Sequence, residues 1–119
     1  EVVVHFAKEE EVLFPEMEKF MPRDGGPIGI MLVEHNDLNE LKANFARGVE
    51  QLSKDTGSAD AANLITENGR KFVRLLRDHI YKEDNILYPL ALKVIPKNKW
   101  AKIKADCDKI GYCCFTPQC

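Results

Sequence analysis

The sequence is short of strand signals, of charge of one sign, of long apolar runs and of histidine, and each shortage excludes something. Segments that alternate apolar and polar residues are nearly absent from its 119 residues, so a sheet-based domain is not expected. Basic and acidic side chains number 17 and 19, for a formal net charge of −2. That balance leaves no positive field of the kind nucleic acid or anionic lipid requires, and neither is expected as a partner. The longest apolar stretches, VVV at 2–4 and IGIMLV at 28–33, fall far short of the roughly 20 residues that cross a bilayer. No membrane span and no signal-peptide layout is visible, so the expected compartment is the cytoplasm.

Cysteine is present but not in a working pattern. Cys113, Cys114 and Cys119 crowd the last seven residues, with Cys107 upstream, and none stands in the Cys-x-x-Cys spacing of zinc or thioredoxin-like sites. They read as reduced, partly buried thiols.

What the sequence does contain is helical periodicity. Apolar residues recur at three and four over a first segment from about Val2 to Phe20, which MPRDGGP at 21–27 should stop. A second segment runs from about Pro27 to Lys54 with a stripe through Ile28, Met31, Leu32, Leu38, Leu41, Phe45, Val49 and Leu52, and His35 falls on it. A third is capped by Ser58 or Asp60 and continues to about Leu92, carrying His79 and Glu83 on its stripe. Pro15 and Pro89 should kink or end their helices within about a turn. A short last helix, from about Pro96 to Ile110, shows Trp100, Ile103 and Cys107 on one side, stops at Gly111, and is expected across the end of the bundle. The fold class is therefore all-α: an up-and-down bundle of three long helices plus a short C-terminal one. The domain reading is a metal-binding bundle over 1–95 followed by a short helix and Cys-rich tail over 96–119.

One phrase is written twice. Residues 5–15 read HFAKEEEVLFP and residues 79–89 read HIYKEDNILYP. Each copy sets a histidine and a glutamate at i and i+4, His5 with Glu9 and His79 with Glu83, so imidazole and carboxylate lie one turn apart on one face. His35 is the one remaining histidine of the three. Alone it reads as a core histidine, but the five together do not. Two carboxylates in one interior without a cation carry a penalty of several kcal/mol each, on the order of 2–7 for a polar group and more for a charge. A metal removes it. Imidazole with carboxylate and no thiolate favours iron or manganese, with zinc possible, and a glutamate from each of two helices can bridge a dinuclear site. Ferritin-like bundles use Glu-x-x-His, a different order and spacing. Lys8 and Lys82 beside the ligand pairs read as solvated, and Tyr81 and Tyr88 as packing aromatics. Met31 and Leu38, one turn either side of His35, would line a dry pocket.

HFAKEEEVLFP, EHNDL around His35 and HIYKEDNILYP together resemble the hemerythrin-like, or HHE, cation-binding domains, over residues 1 to about 95. The resemblance implies a four-helix bundle around a non-haem, carboxylate-bridged di-iron centre, with His5 and Glu9 on the family's second helix, His35 on its third, and His79 with Glu83 on its fourth. It implies a binding or sensing domain for a small diatomic ligand, oxygen or nitric oxide, rather than a catalyst. The alternatives are iron-sulfur centre repair or iron donation, and a metal-free helical interaction module. Three departures accompany it. Asn39 stands where oxygen-carrying hemerythrins have a second histidine, which is more similar to the iron-centre repair and iron-sensing branches. The fourth helix offers Asp84 at plus five as well as Glu83 at plus four; the repeated spacing favours Glu83. The chain opens at EVVVHF, already inside a ligand-bearing helix, so the family's first helix is expected from upstream residues or from another chain. The open seam would favour a homo-oligomer, and the tail IGYCCFTP resembles an exit into a neighbouring domain.

Overall fold

The computed structural model describes residues 2–112. Its helical elements are α1 (Val2–Lys8), a π-helical turn π1 (Glu9–Leu13), α2 (Phe14–Met17), α3 (Pro27–Lys54), α4 (Ala59–Lys82), a second π-helical turn π2 (Glu83–Leu87), α5 (Tyr88–Val94), a 3₁₀ turn (Lys97–Lys99) and α6 (Trp100–Ile110). There is no strand among the described residues. The fold is all-α, as the periodicity implies. Cys113, Cys114 and Cys119 lie outside the described residues. None of the described helices is long and apolar enough to cross a membrane.

The helix ends follow local chemistry. Pro27 opens α3 with its ring already at a helical φ. Of the two candidate caps for α4, Ser58 is the one used: its Oγ accepts the Ala61 N–H at 3.1 Å. Gly111 closes α6 at φ 95°, a conformation that favours glycine, with its N–H on the Cys107 carbonyl.

The repeated phrase has a repeated backbone. Both copies pass through a π turn that begins at the glutamate, and both then place the proline second in a fresh α segment. The reason is the proline. Pro15 and Pro89 have no N–H to give the ladder, and a widened i→i−5 turn, seen in the Phe14 N–H bond to the Glu9 carbonyl, clears the ring from the preceding turn. The disturbance expected at each proline thus lies upstream of it, and helix continues to Met17 in one copy and Val94 in the other.

The described chain forms two compact units, one joining the residues up to Ile30 with those from Asn85 onward, the other spanning Met31–Asp84. In the first, Phe6, Val12, Phe14, Met17, Ile28, Leu87, Ala91, Ile95 and Ile103 are buried. Here α6 packs against α1 and π1, and its apolar side carries the buried Ile103 between half-buried Trp100 and Cys107. In the second unit, Met31, Leu38 and Ala61 are buried, whereas Phe45 and Val49 on the same stripe are exposed. Gly48 sets the approach of α3 to α4 within this unit. A Cβ there would stand 2.8 Å from Ile65 Cγ1, 3.1 Å from the Ile65 backbone nitrogen and 3.3 Å from the Ala61 carbonyl oxygen.

Two outcomes follow from this packing. Gly48→Val, despite a better helix propensity, should destabilise the chain by roughly 1–3 kcal/mol through overpacking, read as a lower urea midpoint. On α6, hydrogen bonds from Lys102 (2.6 Å) and Lys104 (2.8 Å) hold the Asp106 and Asp108 carboxyls below their ordinary value of 3.8. A depressed folded-state pKa contributes stability above the unfolded value and loses it as pH falls through the folded one. An Asp106→Asn, Asp108→Asn double variant should therefore melt below the parent at neutral pH and converge with it as pH falls below the depressed folded-state values.

Candidate metal centre

Five residues on α3, α4 and π2 form a buried polar cluster in the Met31–Asp84 unit. His79 ends its stripe in α4 and is 1% exposed. Its Nε2 lies 2.8 Å from Glu83 Oε1 at i+4, and its Nδ1 lies 2.8 Å from Glu34 Oε2 on α3. The His35 ring, fully buried, stands 4.9 Å from the His79 ring, centroid to centroid, tilted by 57°. Lys82 reaches in from α4 to pair its ammonium with Glu34 Oε1 while its side chain stays half exposed. At the entry to π2 the Glu83 N–H is shared between the His79 and Ile80 carbonyls. Glu83 is 3% exposed, whereas its neighbour Asp84 faces solvent.

The electrostatics of His79 decide what this cluster can do. If Nδ1–H donates to Glu34, a neutral ring presents the lone pair of Nε2 to a carboxylate oxygen 2.8 Å away. Two acceptors that close repel. A proton on Nε2 would reconcile them, and so would a metal ion bound by both. Ligand atoms about 2.1 Å from one ion and at right angles to it are roughly 3.0 Å apart, so the observed spacing suits shared ligation. A carboxylate behind the second ring nitrogen is the usual support of a metal-bound histidine, fixing its tautomer and orientation. The donor set fits a metal.

A second group lies in the other unit. Glu9 is 3% exposed, and its Oε1 is 3.1 Å from His5 Nε2. The Tyr88 O–H donates to the same carboxylate oxygen at 2.8 Å and stands 3.5 Å from His5 Nε2. His5 is not interior as the sequence pattern implies: its side chain is 48% exposed, with Nε2 toward Glu9. Each unit thus buries side chains of the types that hold a metal ion: Glu9 in one, and His35, His79 and Glu83 in the other.

Three readings from the sequence change. Lys82 is charge compensation for a buried carboxylate rather than a solvated lysine, and Lys8 covers the Tyr112 ring, 3.3 Å from its centroid. Tyr88 is more than a packing aromatic, because its hydroxyl holds Glu9; Tyr81 is 65% exposed. Nothing in the periodicity singles out Glu34. It sits one residue, about 100°, from His35, off the apolar stripe, and only the need of a ligating histidine for a carboxylate behind it would have found it. Met31 and Leu38 are buried on either side of His35, as the stripe implies. Cys107 is a free, half-buried thiol whose pKa burial pushes up.

Comparison with known proteins agrees with the donor set. Residues 1–91 match the profile of the Hemerythrin HHE cation binding domain. Among curated proteins, the chain is similar to iron-sulfur cluster repair proteins YtfE of Yersinia pseudotuberculosis serotype IB (strain PB1/+) and Yersinia pestis (strain Pestoides F). Each is 28% identical over 94 residues, covering 78% of this chain and 42% of the relative. The chain thus spans less than half the length of these relatives. No solved structure gives a significant match. With the family profile covering most of its length and a buried set of imidazoles and carboxylates that fits a cation, the chain belongs to the hemerythrin HHE cation-binding domain family.

Proposed function

We propose that this chain is the iron-holding domain of a protein of iron-sulfur cluster repair, working in the cytoplasm. His5, His35 and His79 would supply its imidazole ligands and Glu9 and Glu83 its carboxylates, a donor set that would hold two irons. The observation that carries the reading is the buried His79, whose two ring nitrogens both face carboxylates. When bound, the metal supplies the positive charge that such a donor set needs. The residues around it have separate tasks. Glu34 fixes the tautomer of His79, Lys82 compensates Glu34, and buried Met31 and Leu38 exclude water beside His35. Iron is preferred over zinc for an imidazole and carboxylate set with no thiolate, and manganese would fit the same donors. The repair setting is supported by the similarity to iron-sulfur cluster repair proteins.

The half-exposed His5 favours a second reading of the same centre. A ligand at the surface leaves a path by which a small diatomic molecule, oxygen or nitric oxide, reaches the metal. The two uses differ in what happens to iron. Repair predicts that the loaded domain restores a damaged iron-sulfur protein and loses iron in doing so. Gas binding predicts a reversible spectral change at constant iron content.

Protein purified without oxygen should carry about two irons per chain by elemental analysis, and a Glu9→Ala, Glu83→Ala double variant should carry almost none. An iron-free parent, or a double variant loaded like the parent, would overturn the centre. Glu34→Ala should keep the fold and lower iron affinity by roughly 10–100-fold in chelator competition, because it removes the support behind His79 without removing a ligand.

A further inference from the structure

The two copies of the phrase differ at several places, and at one of them the difference is a single hydroxyl group. Where the first has Phe14, the second has Tyr88. Phe14 is wholly buried, so packing at this position is satisfied by a ring without oxygen, and the hydroxyl of Tyr88 is an addition. That hydroxyl does not point into solvent. It lies 2.8 Å from Glu9 Oε1 and 3.5 Å from His5 Nε2, and those two atoms are 3.1 Å from each other. Three donor atoms therefore form a closed triangle.

We propose that Tyr88 is itself a metal ligand, a phenolate that completes a three-donor face with His5 and Glu9; this rests on the metal-centre reading above. Donors roughly 2.1 Å from one ion and separated by about 85–115° stand on the order of 2.8–3.5 Å apart, the range of the three edges. The donor types agree, since a phenolate and a carboxylate are hard oxygen ligands and an imidazole suits iron, and tyrosine serves as an axial ligand of haem iron in catalase. The backbone supplies the aim. Tyr88 directly follows π2, and the residue that a π turn adds re-aims the side chains after it. His5 is half exposed, so this face lies near the surface. Binding exchanges one bond for another: the phenol O–H breaks, an O–metal bond forms, the proton leaves to solvent, and no electron is transferred.

The test uses the full chain loaded with ferric iron. The parent should show a phenolate-to-iron charge-transfer band in the visible, with tyrosinate ring modes enhanced by resonance Raman excitation in that band. Tyr88→Phe keeps the ring and its packing; it should lose band and modes and release iron to a chelator at least about tenfold faster. Tyr81→Phe, at an exposed ring, should keep both. A parent that holds ferric iron without tyrosinate modes, or a Tyr88→Phe variant that retains them, overturns the ligand assignment and leaves the metal centre standing. A parent that takes up no iron overturns both. A hydroxyl that only hydrogen-bonds Glu9 would slow iron release without giving the band, so the spectrum separates ligation from positioning.

Discussion

Much of this molecule answers to one imidazole held between two carboxylates. His79 is buried, and each of its nitrogens has a glutamate oxygen 2.8 Å away. Neither contact is cheap to arrange. Glu34 must come from a different helix, which requires α3 and α4 to lie close within their unit, and Gly48 is where the absence of a side chain permits it. Two buried carboxylates around one ring leave negative charge in excess, and Lys82 meets part of it from the surface side. The remainder is the electrostatic case for a cation. In this unit the buried positions go to Glu34, His35, Asn68, His79 and Glu83 as much as to apolar side chains, while Phe45, Val49 and Val73 stay exposed. Burial has been given to chemistry.

The duplicated phrase shows how a short sequence carries a backbone instruction along with a ligand pair. Histidine and glutamate at i and i+4 face the same way on a helix, and the proline six residues after the glutamate forces the intervening turn to widen. Both copies do so, from Glu9 and from Glu83. A π turn costs hydrogen-bond quality and is seldom kept without a use; here it begins at the carboxylate of each pair and resets the direction of whatever follows. In one copy that is Phe14, in the other Tyr88.

The parts legible in the sequence were those governed by one helix at a time. The bounds of α3 follow from Pro27 and from the break after Lys54, the cap of α4 from Ser58, and the stop of α6 from Gly111. These are local effects of fixed φ, side-chain capping and positive φ. The i, i+4 pairs were legible for the same reason; of the two acidic residues after His79, Glu83 is buried and Asp84 exposed. What the pattern hid were contacts between residues 45 and 79 positions apart. Glu34 reaches His79 and Tyr88 reaches Glu9 across the chain, and no spacing rule along a helix predicts either. The π turns were hidden differently. Proline announced a disturbance, but its form depends on whether the chain breaks the helix or widens it.

The two pairs, alike in sequence, have become unlike in environment. His79 has a carboxylate on each side and no exposure to speak of, so its position is determined on both ring nitrogens. His5 has a single carboxylate, a phenol nearby, and half its side chain in water. A ligand fixed from both sides exchanges slowly, because moving it strands buried charge; a ligand at the surface can be replaced by water at little cost. A cation held by the His5 pair would therefore exchange faster than one held by the His79 pair. The Glu9 carboxylate, buried but served by a half-exposed histidine and a tyrosine, is where holding and exchange meet within its own unit. The chemistry of Tyr88, donor to Glu9 or ligand in its own right, sets how tightly that pair closes.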